Sequence, residues 1–412
     1  MDEFVDVLVI GAGPSGCVSS SYLYNKGVKV KVVEKTTFPR VVVGESLIPR
    51  VMDHFSEAGL FETLNSKNYE IKRGARFIRG KEICIFDFSD KFTDGWNWTW
   101  QIPRADFDNT MAQEVIKKGI DLEFRAEVTA VEFEGKNSIT TVKDKDGNTK
   151  KIHAKFIIDS SGYGRVLPRL LDLDYPSGLD PHSSIFTHIK DINRPEGEEG
   201  TLISFDILET EVWLWVIPFS NGNTSVGIVG PTSFINALSD VSTAEALKKA
   251  ITLSDFYIKR FGGLDFLFEP IKLENYSRAV KKMYGDGFAL TGNSSEFLDP
   301  VFSSGVCFAT ESGMLAAKLA EREIKGEEIN WESEFSDYMK YGVDVFKTYV
   351  KEWYTGNLQT LFYHQPEDPD VKRKICSVLA GYVWDKENPF VRKHNNIVKN
   401  MAHIINSAKT VQ

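Results

Sequence analysis

The glycine-rich hexapeptide Gly11-Ala12-Gly13-Pro14-Ser15-Gly16 sets glycines at the G-x-G-x-x-G positions. Without a Cβ these positions permit a tight turn, a close approach of a diphosphate to the backbone, and close packing of helix on strand. A helix starting there would point free amides and a partial positive charge at the phosphates, to which Ser15 can add a hydroxyl. Glu34 follows at the distance where a carboxylate accepts hydrogen bonds from a ribose. Lys72, beside Arg73 and near Arg76, is either a solvated cation or, in apolar surroundings, a nucleophilic amine. Trp96, Trp98 and Trp100 recur with period two and so share one face of an extended segment, an arrangement that is more often packing than function. Ser303-Ser304-Gly305 precedes a helical pattern, where it either caps the helix or offers the amides of Ser304 and Gly305 to an anion. Asp159-Ser160-Ser161-Gly162, followed by Arg165, reads on its own as a strand-end turn.

Such residues need a frame. The apolar run at 5–10, the glycine turn, a helix of small residues and a strand at 28–33 make a βαβ unit, which requires a parallel sheet covered by helices. Helical character returns at 106–119. Strands at 126–133 and 138–143 flank Gly135 and lead to a hairpin at Asp146-Gly147, and Ile157-Ile158-Asp159 closes this part as a strand. From about 180 to 275 the texture is strand-like, as at 212–218 and 225–229, with one amphipathic helix near 243–251. The α/β style resumes at 284–330 with a strand at 288–290 and a helix over about 305–324, and a helical tail occupies 333–412. The expected fold class is therefore α/β: a Rossmann-like, parallel βαβ domain, an inserted mostly antiparallel β-sheet domain, and a helical C-terminal region.

At 412 residues the chain is long enough for two or three domains, and 42% hydrophobic with 26% charged residues is a globular composition. The net charge of -9 disfavours nucleic acid and anionic membrane surfaces as partners. Cys17, Cys84, Cys307 and Cys376 are scattered, without C-x-x-C, so neither a disulfide framework nor a zinc site is expected. No H-x-x-x-H or G-x-S-x-G spacing occurs. The acidic N-terminus and the lack of a long apolar run suggest a cytoplasmic protein with no membrane span.

The segment Tyr284-Gly285-Asp286-Gly287-Phe288-Ala289-Leu290-Thr291-Gly292-Asn293 resembles the flavoprotein stretch whose acid bonds the ribityl chain, with Asn293 in the usual place of Asp. That far-end return favours FAD over NAD. Four further segments resemble the flavin-dependent halogenases, within the superfamily of FAD-dependent monooxygenases and geranylgeranyl reductases. They are Gly44-Glu45-Ser46-Leu47-Ile48-Pro49, Lys72-Arg73-Gly74 running to Phe77, Trp98-Thr99-Trp100-Gln101-Ile102-Pro103, and Phe297-Leu298-Asp299-Pro300-Val301-Phe302-Ser303-Ser304-Gly305. The third is a full W-x-W-x-I-P match, and the resemblance spans roughly residues 5 to 330.

The resemblance implies an FAD-dependent oxidoreductase that uses reduced FAD, oxygen and chloride or bromide to halogenate an aromatic compound. In it Lys72 handles the hypohalous acid, Trp98 and Trp100 line the passage between flavin and substrate, and Ser304 and Gly305 hold halide. Gly11, Gly13, Ser15, Gly16, Glu34, Arg104, Asp159, Gly162, Gly292 and Asn293 contact the cofactor. A separate flavin reductase supplies the reduced FAD. Phe302 stands where tryptophan halogenases carry a glutamate, which favours an electron-rich phenol or pyrrole, free or on a carrier protein. The expected domains are a discontinuous FAD-binding part (1–80, 104–178 and 276–330), a substrate-domain sheet (81–103 and 179–275) and a helical region (331–412). Two other readings stay open: a reductase of the geranylgeranyl type acting on an isoprenoid chain, and a flavin-binding protein without activity, at which Asn293 hints.

Overall fold

Val7, Leu8, Val9 and Ile10 are buried on both sides of their strand, as the central strand of a parallel sheet covered by helices requires. In the computed structural model, which describes residues 2–240, 242–364 and 369–410, that strand, Glu3–Ile10, lies at the middle of an eight-stranded sheet. Val30–Glu34 pairs with it in parallel on one side and Thr149–Asp159 on the other, and the parallel order continues outward to Asp121–Phe124 and Phe288–Leu290. The strands Glu127–Glu134 and Asn137–Lys143 pair antiparallel across Gly135, and the expected hairpin at Gly147 leads antiparallel into Thr149–Asp159. Helix Pro14–Asn25 covers one face, with the long helix Ser304–Ile324 across it.

The close approach of those two helices depends on missing side chains. A Cβ on Gly313 would stand 2.6 Å from Ser15 Oγ, and one on Gly16 would stand 1.9 Å from the Gly11 carbonyl oxygen. Glycine is thus needed for packing at both places, not for its conformational freedom.

The second sheet has seven strands, in the order 271–273, 182–190, 223–231, 212–218, 204–209, 74–79, 82–87. All neighbours are antiparallel except Ser204–Glu209 with Gly74–Arg79. The expected domain boundary at residue 80 falls just after that strand, so Gly74–Arg79, grouped by the sequence with the cofactor part, pairs in the second sheet. Alternation along Val212–Pro218 sends Leu214 and Val216 into a cluster with the helix Thr243–Thr252, while Trp213 and Trp215 turn to the main core. Between the sheets lies a short ribbon, Glu70–Lys72 against Thr99–Gln101.

Helices Asp337–Tyr354, Asn357–Tyr363, Pro369–Leu379, Pro389–Arg392 and His394–Thr410 make up the tail. It docks through side chains and through a few main-chain bonds, among them the Arg50 amide on the Ala380 carbonyl and the Phe92 amide on the Arg373 carbonyl. Glu311 of the long helix accepts from Arg50 Nε at 3.0 Å and from Tyr338 OH at 2.9 Å, and lies 2.8 Å from His54 Nε2. Tyr338 in turn stacks on Trp384, with centroids 5.0 Å apart. Farther along, Ser377 Oγ accepts from the Thr93 amide and Cys376 Sγ donates to the Asp87 carbonyl, which fixes the loop ahead of the tryptophans. The four cysteines are buried and free. Among the described residues no helix is long and apolar enough to cross a membrane.

Burial alone would raise the Glu311 pKa, but the hydrogen bonds and charges of His54 and Arg50 outweigh it and lower the value from 4.5 to about 2. A carboxyl depressed in the folded state adds stability above its unfolded pKa and loses it as pH falls through the folded one. We therefore expect a contribution on the order of 3 kcal/mol at neutral pH that disappears between about pH 4.5 and 2. Urea unfolding at a series of pH values checks this: Glu311→Gln should be less stable at pH 7 and show a flatter acid limb, and parallel curves for the two proteins would refute it.

Candidate active site

A cavity of about 470 Å³ runs from the first βαβ turn to the second sheet. Gly13, Pro14, Ser15, Glu34 and Arg40 bound one end, and Phe186, Phe205, Trp213, Trp215 and Ile217 form an apolar wall at the other. The glycine turn divides its labour. Gly11 (φ +99°) and Gly16 shape it, since a Cβ on Gly11 would meet the Ser160 carbonyl oxygen at 2.5 Å, and neither residue lines the cavity. Gly13 does line it, and a Cβ there would meet nothing within 4 Å. That open space in front of a helix start is where a diphosphate can come against the backbone. Glu34 accepts from the Ala12 amide at 3.0 Å and from Thr36 Oγ1 at 2.6 Å, so its carboxylate is fixed at the cavity edge.

Three hydroxyls lock the strand ends together. Ser15 Oγ lies 3.0 Å from Ser160 Oγ and donates to Thr291 Oγ1 at 2.8 Å, and Ser160 Oγ is also 2.8 Å from Thr291 Oγ1. All three residues line the cavity, with Gly162, Gly292 and Asn293 beside them. Arg165 Nη1 donates to the Asn293 carbonyl at 2.9 Å. Arg104, also in the lining, pairs with Asp108 through two hydrogen bonds of 2.8 and 2.9 Å and donates to the Val43 carbonyl. Asp159 has a different place from the one the sequence suggested. Its carboxylate accepts from the amides of Ser161 and Leu167, is buried, and does not reach the cavity, so it holds the turn instead of a ligand.

The loop Gly44-Glu45-Ser46 crosses the cavity as a strap. It is pinned to the ribbon by the Leu47 amide on the Trp100 carbonyl and by the Ile102 amide on the Glu45 carbonyl. Glu45 Oε1 lies 2.7 Å from His188 Nε2, while Oε2 is buried with no protein partner. Behind the strap lies Lys72, 2% exposed. Strand alternation turns Ile71 outward and Lys72 inward, where Nζ donates to Ser46 Oγ at 2.8 Å and to the Leu47 carbonyl at 2.7 Å. Burial lowers its pKa to about 7, with no neighbouring charge contributing. Lys72 does not itself line the cavity; Ser46 does.

The tryptophans depart further from expectation. Only Thr99–Gln101 is strand, and Trp96, Trp98 and Trp100 form an edge-to-face ladder with centroids 5.5 and 5.6 Å apart, all against Phe61. Neither Trp98 nor Trp100 lines the flavin-sized cavity; Trp100 faces a separate cleft with Tyr69, Ile71 and Leu202. The aromatic wall comes instead from Trp213 and Trp215, for which a period-two signal was present in Val212-Trp213-Leu214-Trp215. Arg40 is a further lining residue that sequence reasoning missed, and it carried no motif.

At the far end the helix Ser304–Ile324 begins against the cavity with no side-chain cap. Ser303 (φ +56°) and Gly305 line the cavity, but Ser304 is buried behind them. Phe302 turns away and packs edge-on against Tyr349 and Trp353. Close by, Asp299 accepts from the hydroxyls of Tyr276 and Tyr354, each at 2.9 Å. The long cavity, the bare backbone at Gly13, the cation of Arg40 and the unpartnered carboxylate oxygen of Glu45 together suit a large, polar, diphosphate-bearing cofactor with a planar head group.

The FAD binding domain family matches residues 4–251. Among solved structures, a flavoprotein/dehydrogenase from Cytophaga hutchinsonii superposes with a TM-score of 0.96 at 51% identity, covering 99% of this chain and 100% of that one. Among curated relatives, a 1H-pyrrole-2-carbonyl-[peptidyl-carrier protein] brominase of Pseudoalteromonas luteoviolacea is 25% identical over 94% of this chain and 95% of its own. The corresponding chlorinase of Pseudomonas fluorescens is 27% identical over 93% and 90%.

The open space at Gly13 makes a sharp test. Gly13→Val leaves the turn unstrained, since Gly13 has φ -73° and ψ -171°, but sets branched carbons where the diphosphate must pass. We expect an unchanged melting temperature with FAD affinity lowered by about 100-fold or more, a loss of some 3 kcal/mol. Fluorescence titration with FAD reads the effect, and undiminished affinity would place the diphosphate elsewhere.

Proposed function

The chain belongs to the FAD binding domain family, and on that premise we propose that it is a flavin-dependent halogenase acting on an electron-rich aromatic compound. The observation that carries this reading is Lys72, a buried amine with no carboxylate partner among the described residues, one hydrogen bond behind the wall of the flavin cavity. When bound, reduced FAD supplies the activation of oxygen that turns chloride or bromide into a hypohalous acid. Gly13, Ser15, Glu34 and Arg40 hold the adenosine and diphosphate end, Gly162, Gly292 and Asn293 the middle, and the Trp213 and Trp215 wall keeps the head-group end dry. Amides at Gly305 and the uncapped helix start draw the halide. Lys72 then captures the halogen on its neutral amine and presents it to the substrate. A discontinuous cofactor part, the second sheet and the helical tail supply these pieces, and a separate flavin reductase provides the reduced cofactor.

The substrate proposed is a phenol or a pyrrole on a carrier protein. The two curated relatives act, by name, on pyrrole carried by a peptidyl-carrier protein. No carboxylate stands at Phe302 to stabilise a ring cation, so the ring must stabilise its own by lone-pair donation. The geranylgeranyl-reductase reading is not favoured: it gives Lys72 no task, and the curated relatives carry halogenase names.

Burial that lowers the Lys72 pKa to about 7 means that the neutral amine gains on the ammonium as pH rises. Product formed per reduced flavin consumed should therefore climb from about pH 6 to 8 and then level off. Lys72→Ala should lower this yield by about 100-fold or more while hypohalous acid escapes into solution, and Lys72→Arg should not restore it, since guanidinium offers no free amine. A dye trap for the acid and chromatography of a brominated phenol measure both quantities. Wild-type yield in Lys72→Ala, or preferential halogenation of free tryptophan over a simple phenol, would defeat the reading.

A further inference from the structure

Resting on the role just given to Lys72, the structure raises a problem of access: the oxidant arises in a cavity that the lysine does not line. Of the two groups bonded to Nζ, the Leu47 carbonyl belongs to a residue outside the cavity lining, whereas the Ser46 hydroxyl belongs to a residue of that lining. Ser46 therefore touches both sides. Its position is fixed from the backbone, through a bridge to Gln101 and the flanking bonds of Glu45 and Leu47 to the ribbon. Gln101 is itself held by donation to the Pro218 and Thr201 carbonyls. The Phe88 ring closes the other side of the amine, 5.6 Å from Nζ.

We propose that Ser46 is the positioning residue and proton relay through which Lys72 takes halogen from the flavin cavity. A neutral amine has two hydrogens and one lone pair. With the hydrogens directed at Ser46 Oγ and the Leu47 carbonyl, the lone pair is the group left for the incoming halogen. In the transfer the lone pair forms the N–X bond as the O–X bond breaks, the departing hydroxide takes the Ser46 hydroxyl proton, and Ser46 Oγ takes a proton from Nζ. Amine plus hypohalous acid thus become haloamine plus water, the halogen keeps its oxidation state, and the serine is regenerated. A serine suits the task because Oγ accepts from nitrogen while its own hydrogen stays free to donate.

Two measurements on Ser46→Ala, Ser46→Thr and Lys72→Ala test this. The first needs no flavin: NMR of protein carrying ¹³C-labelled lysine follows the titration of Lys72, assigned by its loss in Lys72→Ala. Removing an acceptor that favours the ammonium should lower the midpoint by about one unit in Ser46→Ala and leave it in place in Ser46→Thr. The second is brominated phenol formed per reduced FAD oxidised, with bromide as the halide. Ser46→Ala should fall by about 10- to 100-fold with free hypobromous acid appearing in the trap, and Ser46→Thr should stay within about threefold of wild type. A lowered midpoint with an undiminished yield would overturn the relay, making Ser46 a structural acceptor only, as would an unmoved midpoint. Wild-type yield in Lys72→Ala would overturn the halogenase reading itself and the relay with it, so the two failures are told apart.

Discussion

An amine buried without a countercharge constrains everything around it. Leaving Lys72 protonated in this place would cost several kcal/mol in lost hydration, and the structure answers by supplying acceptors in place of a carboxylate. Both acceptors, Ser46 Oγ and the Leu47 carbonyl, come from one strap. The strap must in turn be held, which the backbone bonds to Trp100 and Ile102 and the Glu45 contact with His188 achieve. The ribbon carrying Lys72 and the strap bonded to it are thus a single unit, and the tail reinforces it where the Arg50 amide meets the Ala380 carbonyl.

The cofactor end obeys the opposite constraint, absence of bulk. Gly16 and Gly313 let two helices and the first turn come within contact of one another, and the hydroxyls of Ser15, Ser160 and Thr291 then join a helix start to two strand ends at one point. Hydroxyls suit that junction because each can donate and accept, so the triangle satisfies itself with no charge to desolvate. The result is a floor in which the open backbone position at Gly13 faces the space proposed for a diphosphate.

Local chemistry explains what the sequence could reveal. The βαβ unit, the hairpin about Gly135 and the helix from Ser304 all follow from periodicity and turn residues, which act over a few neighbours. The places of Glu34 and Gly13 at the cavity were legible because they depend on spacing from a strand that the same pattern defines. Asp159 was not: whether a strand-end carboxylate bonds a ligand or its own turn depends on which amides the next helix presents, here those of Ser161 and Leu167. Trp98 and Trp100 lie off this cavity for a related reason. Period two fixes that they share a face but not what faces them, and Phe61, from a separate helix, fills that side. The cavity wall fell to Trp213 and Trp215, whose alternation looked like ordinary sheet because the partner surface lies at the other end of the chain.

Standing the lysine behind the strap has a chemical consequence. Hypohalous acid oxidises sulfur and indole readily, and Trp213 and Trp215 line the very space in which it would form. Both indole N–H groups are engaged, by Tyr354 OH at 3.3 Å and Ser225 Oγ at 3.0 Å, and Gly227 lets the Trp215 ring lie flat on its neighbouring strand. Those contacts fix the rings as a wall without slowing attack on their π faces. On the reading proposed for Lys72, the wall is protected by competition: a neutral amine takes halogen in place of the indoles, and it is neutral because burial lowers its pKa and no carboxylate among the described residues holds the proton on it.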